Sequence, residues 1–471
     1  MQTATRVMRF DRDGHSTLLG VDNLAVVRGP ADLMERAAHY ANLGHDGPPL
    51  DVADVDMLEG VLTALDRLAP HGPPEEQAPA VTRLNIGNTY HCNMGCTYCY
   101  NELALKDRRG SEVPEGMGVE TARAAIDALL AQAGEAKRLS LVFVGGEPLL
   151  EKHVLFQTVA YAQRRARTQA KSVDIAVYTN GTLMNERVIE WANETGVSLV
   201  VSLDGPPLVH DRRRVYLNGR PTSRIILKNI RLLMERSNQT VKRVRAVACE
   251  RGLMVPLHRY FLALGFNEIH VQPVYDEGGI SDTMSGPEMA ECLAWYRDRL
   301  LEGTVLGVMP FEGILERLVH RRRAVTSWYP CTAGRSALGV GPDGRIYPCH
   351  HFLEEGRYQL GHVREGLPGI EARRSFFLRV DQREPCRSCW ARHACGGECY
   401  HRAATAGVGY TGVLPDVCRN RKSLIGLVLE VFADLATVRP DVLRRLAAKD
   451  FSAVAPQEQA FAARGLGAYR S

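Results

Sequence analysis

Between residues 81 and 273 the chain repeatedly alternates a short apolar run with a segment long enough for a helix. The runs are residues 81–87, 139–144, 173–178, 198–202, 243–247 and 268–273. This alternation marks repeated βα units around a parallel sheet, because parallel neighbours must be joined by a long crossover. Six units imply an α/β fold of the partial (β/α)6 barrel type, open along one side. In parallel α/β folds the carboxyl ends of the strands build the active site. Unusual segments follow these strands: a cysteine cluster after the first, Gly145-Gly146-Glu147-Pro148 after the second and Thr179-Asn180-Gly181 after the third. Ser202-Leu203-Asp204-Gly205-Pro206 ends the fourth and Gln272-Pro273 the sixth, so all five fall on one rim.

The cluster after the first strand reads Cys92-x3-Cys96-x2-Cys99. Three thiolates at this spacing can hold a [4Fe-4S] cubane and leave one iron without a protein ligand. A structural zinc ion normally takes four ligands, and His91 would have to be the fourth. On spacing the cluster is favoured over zinc. Seven further cysteines, Cys331, Cys349, Cys386, Cys389, Cys395, Cys399 and Cys418, crowd the glycine-rich sequence after residue 310. No secretory signal is evident at the N-terminus, and no apolar run approaches the ~18 residues of a membrane span, so a cytoplasmic location is expected. In a reducing compartment clustered cysteines bind metal more often than they form disulfides. Cys249 and Cys292 stand apart and read as small core residues.

With 471 residues the chain is long enough for about three domains. Its net charge of +4 is dispersed, which gives no support to nucleic acid or a membrane as partner. Residues 1–79 read as a small α/β unit: strands at 6–10, 16–19 and 24–27, one helix carrying Leu33, Ala37, Ala38 and Ala41, and a second carrying Met57, Val61, Leu62, Leu65 and Leu68. A proline-rich linker at 70–79 closes it. The expected divisions are then 80–310, 311–421, and a helix and tail at 422–471, the helix at 422–438 packing through Leu424, Leu427, Val428, Val431, Phe432 and Leu435.

Taken together, the three-cysteine loop with Tyr98 before its last cysteine, the Gly-Gly-Glu-Pro turn and the later seven cysteines resemble the radical S-adenosylmethionine (SAM) enzymes with a SPASM extension. The resemblance spans about residues 81–420. It implies a radical SAM barrel flanked by an N-terminal domain suited to peptide recognition and a C-terminal cysteine-rich SPASM domain. It also implies SAM and three [4Fe-4S] clusters as cofactors, one binding SAM and two auxiliary. Cys92, Cys96 and Cys99 would hold the first cluster and SAM would chelate its open iron. The Gly145, Gly146, Glu147 and Pro148 turn would bind the methionine amino group, its glycines allowing close backbone approach. Ser202 and Asp204 would face the ribose or methionine end, and Arg214 the carboxylate. Tyr98, Asn180 and Gln272 would complete the pocket. Each of these polar residues, met alone, would read as a strand-end cap or turn residue. The family pattern gives Cys386, Cys389, Cys395 and Cys418 to one auxiliary cluster, and Cys331, Cys349 and Cys399 to the other with one iron open.

SPASM enzymes mostly modify ribosomally made peptides or proteins. The segment Ile346-Tyr347-Pro348-Cys349-His350-His351-Phe352 resembles those that join a cysteine sulfur to a carbon, the maturation proteins of quinohemoprotein amine dehydrogenase among them. That resemblance implies thioether crosslinks to Asp or Glu methylene carbons in a small cysteine-rich protein such as the γ-subunit, fed by a low-potential electron donor. An N-terminal sheet suits leader-peptide binding by strand addition. Sulfatase-maturing members carry an aspartate after the second SPASM cysteine; here His350 stands there, a departure from that activity. His350, His351 and Asp416 are the candidate bases. Other readings are carbon–carbon crosslinking, epimerisation or dehydrogenation of a peptide, RNA modification, which the weak positive charge supports poorly, and simple electron transfer, against which the Gly-Gly-Glu-Pro turn speaks.

Overall fold

The computed structural model describes residues 7–43, 60–61, 63–64, 79–99, 116–276, 279–280, 286–321, 325–353 and 356–453. Its described residues fall into two compact units, each assembled from separated stretches: 1–76, 285–331 and 378–452 in the first, 77–284, 332–377 and 453–471 in the second.

The first unit begins with β1 (Val7–Arg12), β2 (His15–Gly20) and β3 (Val26–Pro30), an antiparallel sheet in that order. Asp13 and Gly14 link β1 to β2 with φ of 48° and 76°, the left-handed pair that a two-residue hairpin requires. Helix α1 (Ala31–Leu43) follows, and its Leu33, Ala37, Ala38 and Ala41 pack on Val7, Leu18 and Ala25. Val61 packs against the same cluster. Met57, Leu62, Leu65 and Leu68, and the linker at 70–78, lie outside the described residues.

The second unit carries the βα repeat. Its elements are β4 (Arg83–Thr89), α2 (Val119–Gln132), β5 (Arg138–Gly145), α3 (Lys152–Thr168), β6 (Ser172–Thr179) and α4 (Glu186–Thr195). Then come β7 (Ser198–Ser202), α5 (Ser223–Arg236), β8 (Arg243–Ala248), α6 (Met254–Ala263) and β9 (Glu268–Pro273). Strands β4 to β9 are parallel and adjacent in chain order. Local chemistry fixes the boundaries: Asn185 caps α4 by accepting from Val188 N at 3.1 Å, and Gly196, at φ 70°, ends it. One apolar face of the sheet, with Leu84, Ile86, Leu141, Phe143, Val177, Val201, Val244 and Ile269, is almost fully buried. The other face brings up polar side chains such as Asn85, Tyr178, Arg245 and His270, as strand alternation requires.

The sheet extends beyond β4 through β10 (Ala337–Val340), β11 (Arg345–Tyr347) and β12 (Gly361–His362). β10 runs parallel to β4, Ala337 opposite Arg83 and Val340 opposite Ile86, and the last two pair antiparallel. The glycine-rich sequence after residue 310 gives no sign of these three strands, because strands of two to four residues are too short to show a period of two.

The first unit is completed by α7 (Gly286–Leu301), α8 (Phe311–His320), α9 (Pro415–Val438) and α10 (Pro440–Ala447). α9 starts earlier than its apolar stripe, because Pro415 opens the first turn, so Cys418 is helical. The N-terminal sheet packs on it: Arg28 pairs with Glu430 at 3.4 Å and with Asp434, and Phe10 stands edge-on to Trp390 at 5.2 Å. Cys292 is a fully buried residue of α7. Among the described residues no helix is long and apolar enough to cross a membrane.

Candidate active site and cluster centres

The loop from His91 to Cys99 leaves the carboxyl end of β4. A backbone pairing of Met94 with Tyr216 holds it, with Gly95 N donating to Val215 O at 2.9 Å and Thr97 N to Arg213 O at 3.0 Å. Burial pushes the Cys92 thiol up to about 12, with Glu147, Cys96 and Cys99 adding to the rise. The three sulfurs thus share one electrostatic neighbourhood, in which an iron centre would relieve the cost of the buried thiolates. Among the described residues no group of His, Cys, Asp and Glu side chains is arranged to hold a single metal ion. His91 is exposed and its carbonyl accepts from Glu147 N at 2.8 Å. His91 therefore presents its backbone to the Gly-Gly-Glu-Pro turn, and the three cysteines remain the ligands of a [4Fe-4S] cluster that the chain could hold here.

The Gly-Gly-Glu-Pro turn locks onto this loop. Gly146 N donates to Thr89 O at 2.9 Å, and a Cβ on Gly146 would fall 1.9 Å from the His91 carbonyl oxygen. On Gly145, at φ 130°, it would fall 2.3 Å from Thr89 O. The two glycines therefore admit the protein's own backbone, the segment entering the cysteine loop. Glu147 is fully buried and turns inward, accepting from Leu149 N at 3.0 Å, Thr179 Oγ1 at 2.8 Å and Asn180 N at 2.6 Å. Burial raises its carboxyl to about 7 against those three donors. Asn180 passes the constraint on: its Nδ2 donates to Asn93 Oδ1 at 2.8 Å and lies 3.8 Å from Cys92 Sγ. Its Oδ1 accepts from Thr182, whose hydroxyl also accepts from Asn93 Nδ2 at 2.9 Å. Thr179, already marked within its rim segment, is a positioning residue, and so are Asn93 and Thr182, which the sequence reading missed; Asn93, between two motif cysteines, was the accessible signal.

At the end of β7 a second cluster forms. Tyr98 OH donates to Asp204 Oδ2, Arg214 Nη1 donates to Tyr98 OH at 2.9 Å, and Arg214 lies 3.8 Å from Asp204. Burial raises the Asp204 carboxyl against the pull of Arg214 and Tyr98. Burial also opposes the Arg214 charge, but Tyr98, Asp204 and Cys96 outweigh it and keep the guanidinium protonated. Arg214 Nε is buried with no partner among the described residues. Such an orphaned donor beside the cysteine loop fits an anionic group of a bound cofactor.

His210 positions this cluster and was not singled out from sequence. Its Nδ1 accepts from Asp204 N at 3.2 Å, and its Nε2 faces Thr222 Oγ1 at 3.1 Å, which spends its own hydrogen on Arg214 O at 2.6 Å. The chain of donors requires the neutral tautomer with hydrogen on Nε2. Burial lowers its pKa to about 3.

Ser202 is half-buried at the end of β7, opposite Arg245 in β8. Gln272 is exposed near the end of β9, opposite Val247, whose N–H donates to Asp204 Oδ1 at 3.0 Å. Cys249 follows β8 half-buried. His350 packs against His351 with centroids 4.2 Å apart, in a short turn after Cys349. Asp416 is 80% exposed and paired with Arg419, which gives it none of the shelter of a buried base.

Of the later cysteines, Cys386, Cys389, Cys395 and Cys418 come together in the first unit. Burial raises the Cys418 thiol, and Cys395, Cys386 and Cys389 each add to the rise. Four cysteines near enough for their charges to bear on one another fit the ligand set of a fully ligated cluster. Cys331 and Cys399 belong to the first unit and Cys349 to the second.

Residues 89–244 match the model of the Radical SAM superfamily, and residues 331–390 that of the SPASM iron-sulfur cluster-binding domain. The serine-type anaerobic sulfatase-maturating enzyme of Klebsiella aerogenes is 24% identical over 67% of this chain and 78% of its own length. The cysteine-type enzyme of Clostridium perfringens (strain 13 / Type A) is 23% identical over 65% and 85%. In structure the chain resembles anSMEcpe with bound AdoMet, with TM-score 0.65 and 21% identity over 78% of this chain and 98% of that one. It also resembles Streptococcus suis SuiB bound to precursor peptide SuiA, with TM-score 0.54 and 13% identity over 88% and 100%. Both likenesses are of fold. The chain carries a radical SAM domain followed by a SPASM domain, and its cofactors are S-adenosylmethionine and iron–sulfur clusters.

Proposed function

We propose that the chain is a maturase that modifies a protein or peptide by radical SAM chemistry, forming thioether crosslinks between cysteine sulfurs and Asp or Glu methylene carbons. The observation that carries the broader reading is the pairing of a radical SAM with a SPASM domain in a chain whose relatives are maturating enzymes. When bound and reduced, the cluster and SAM supply a 5′-deoxyadenosyl radical able to remove a substrate hydrogen atom. In this reading Cys92, Cys96 and Cys99 hold that cluster, and Glu147 and Asn180 fix the loop's geometry. Arg214, kept cationic by Asp204 and Tyr98, offers Nε to the SAM carboxylate. Ser202, Gln272 and the backbone of the Gly145–Pro148 turn border the same rim.

His350, next to Cys349, would take the proton of the substrate thiol, the thiolate would bond to the carbon radical with its excess electron passing to the auxiliary clusters, and the edge strands β1 and β3 of the N-terminal sheet would receive a leader peptide. Support for thioether formation lies in His350 standing where sulfatase-maturing members carry aspartate. The candidate substrate is a small cysteine-rich protein such as the amine dehydrogenase γ-subunit. A second reading, sulfatase maturation, is favoured by the names of the relatives. Reduced enzyme, SAM and either the γ-subunit or a sulfatase-derived peptide distinguish the two. Loss of two hydrogens per crosslink, with cysteines that no longer alkylate, supports thioether formation. A modified sulfatase peptide beside an unchanged γ-subunit overturns it.

A further inference from the structure

Arginines stand around Cys386, Cys389, Cys395 and Cys418. Arg421, on α9, directs Nη1 at Cys395 Sγ, 3.6 Å away, while also donating to Gly397 O. Arg383 is 1% exposed, its Nε, Nη1 and Nη2 are all buried, and no carboxylate or carbonyl oxygen among the described residues accepts from them. Its seat is built for it: a Cβ on Gly397, at φ 99°, would lie 1.8 Å from Arg383 Nη2. The Cys386 sulfur lies within hydrogen-bonding reach of its side chain. Arg317, on α8, is tied by Nε to Thr326 O at 3.1 Å and by Nη1 to Ala394 O at 3.2 Å, next to Cys395, whose charge it feels. Two acids share this neighbourhood: Glu316, which bears on Arg317, and Glu398, which bears on Cys418, accepts from Cys399 N at 2.8 Å and lies 3.5 Å from Arg402.

A buried guanidinium without a carboxylate carries a desolvation penalty that only another anion can offset. A [4Fe-4S] centre on four thiolates is an anion in both redox states and gains one more negative charge on reduction. Nearby positive charge and hydrogen bonds to sulfur therefore favour the reduced form.

We propose that Arg383, Arg421 and Arg317 form a cationic cage that raises the reduction potential of the cluster held by Cys386, Cys389, Cys395 and Cys418. The arginines act through the sulfurs and are positioning residues. The inference rests on the assignment of those four cysteines to one cluster, and Cys418→Ala tests that separately. Iron content and the electron paramagnetic resonance spectrum of the dithionite-reduced C418A protein should show one cluster lost or altered. An unchanged spectrum and iron content would overturn both the assignment and the cage.

Redox titration of the three-cluster holoenzyme, followed by the same resonance, then tests the arginines. In R421Q and R383Q the signal that is sensitive to C418A should move to a more negative midpoint. The signal perturbed by added SAM should keep its potential, and R421K should restore most of the wild-type value. Unmoved midpoints in R421Q, which replaces the less buried arginine and keeps a donor, would overturn the cage. So would an equal shift in R421K, since loss of packing rather than of charge would then be the cause.

Discussion

At the residue scale the site is held by hydrogen bonds that tolerate one protonation state. His210 accepts at Nδ1 from the Asp204 backbone and presents Nε2–H to Thr222, so a second proton would set two donors against each other. Its folded pKa of about 3 lies below the ordinary histidine value, so the unfolded chain binds the proton first. The stability it contributes is complete above about pH 6.5 and is lost as pH falls from there towards 3, at up to about 1.4 kcal/mol per unit. Anaerobic denaturation at pH 7.5 and 5.5 should show the wild type losing about 1 kcal/mol more than H210Q; equal losses would contradict the assignment. At the same cluster R214K keeps the charge but loses the planar fork that reaches Tyr98. SAM binding measured by equilibrium dialysis should weaken about tenfold to a hundredfold, ~1.4–2.7 kcal/mol, and Y98F should weaken it less. The pairing was not legible from sequence: Tyr98, Asp204 and Arg214 were each marked as cofactor-binding residues, but their contacts span more than a hundred residues. His210 carried no spacing signal at all.

Among the elements, β4 to β9 were legible as apolar runs of five residues or more separated by helix-length segments, whereas β10 to β12 were too short to announce themselves. The Gly145–Gly146 turn was legible as a motif, yet its physical work differs from the expectation. Its glycines first of all let β5 close against the segment that enters the cysteine loop. Gly146→Ala would drive a methyl group into the His91 carbonyl, where both sides are backbone and neither yields cheaply. That variant should lose several kcal/mol of stability and bind iron at Cys92, Cys96 and Cys99 poorly. Its iron content after reconstitution should therefore fall by one cluster while the auxiliary signals remain. Glu147→Ala should act in the same direction, because it strands three buried donors, Leu149 N, Asn180 N and Thr179 Oγ1, at about 1–3 kcal/mol each.

On the scale of the whole molecule, the two cysteine-rich regions read correctly as separate centres, because reduced cysteines at such density have few other uses. Which chain segments fold together was hidden. The N-terminal sheet shares a unit with α9, joined by Arg28 to Glu430 and Asp434, a pairing across four hundred residues that no local pattern encodes. R28A should lower the melting temperature and loosen β3, with faster hydrogen exchange at residues 26–30 while β4 to β9 are unaffected.

Under the proposed function, a substrate side-chain hydrogen leaves to SAM-derived adenosyl at the rim of β4 to β7. This step is tested most directly with a substrate peptide deuterated at its Asp and Glu methylene carbons, incubated anaerobically with reduced enzyme and SAM. The account predicts 5′-deoxyadenosine carrying deuterium, in amounts that match the crosslinked product. Crosslinked product accompanied by unlabelled 5′-deoxyadenosine would contradict it.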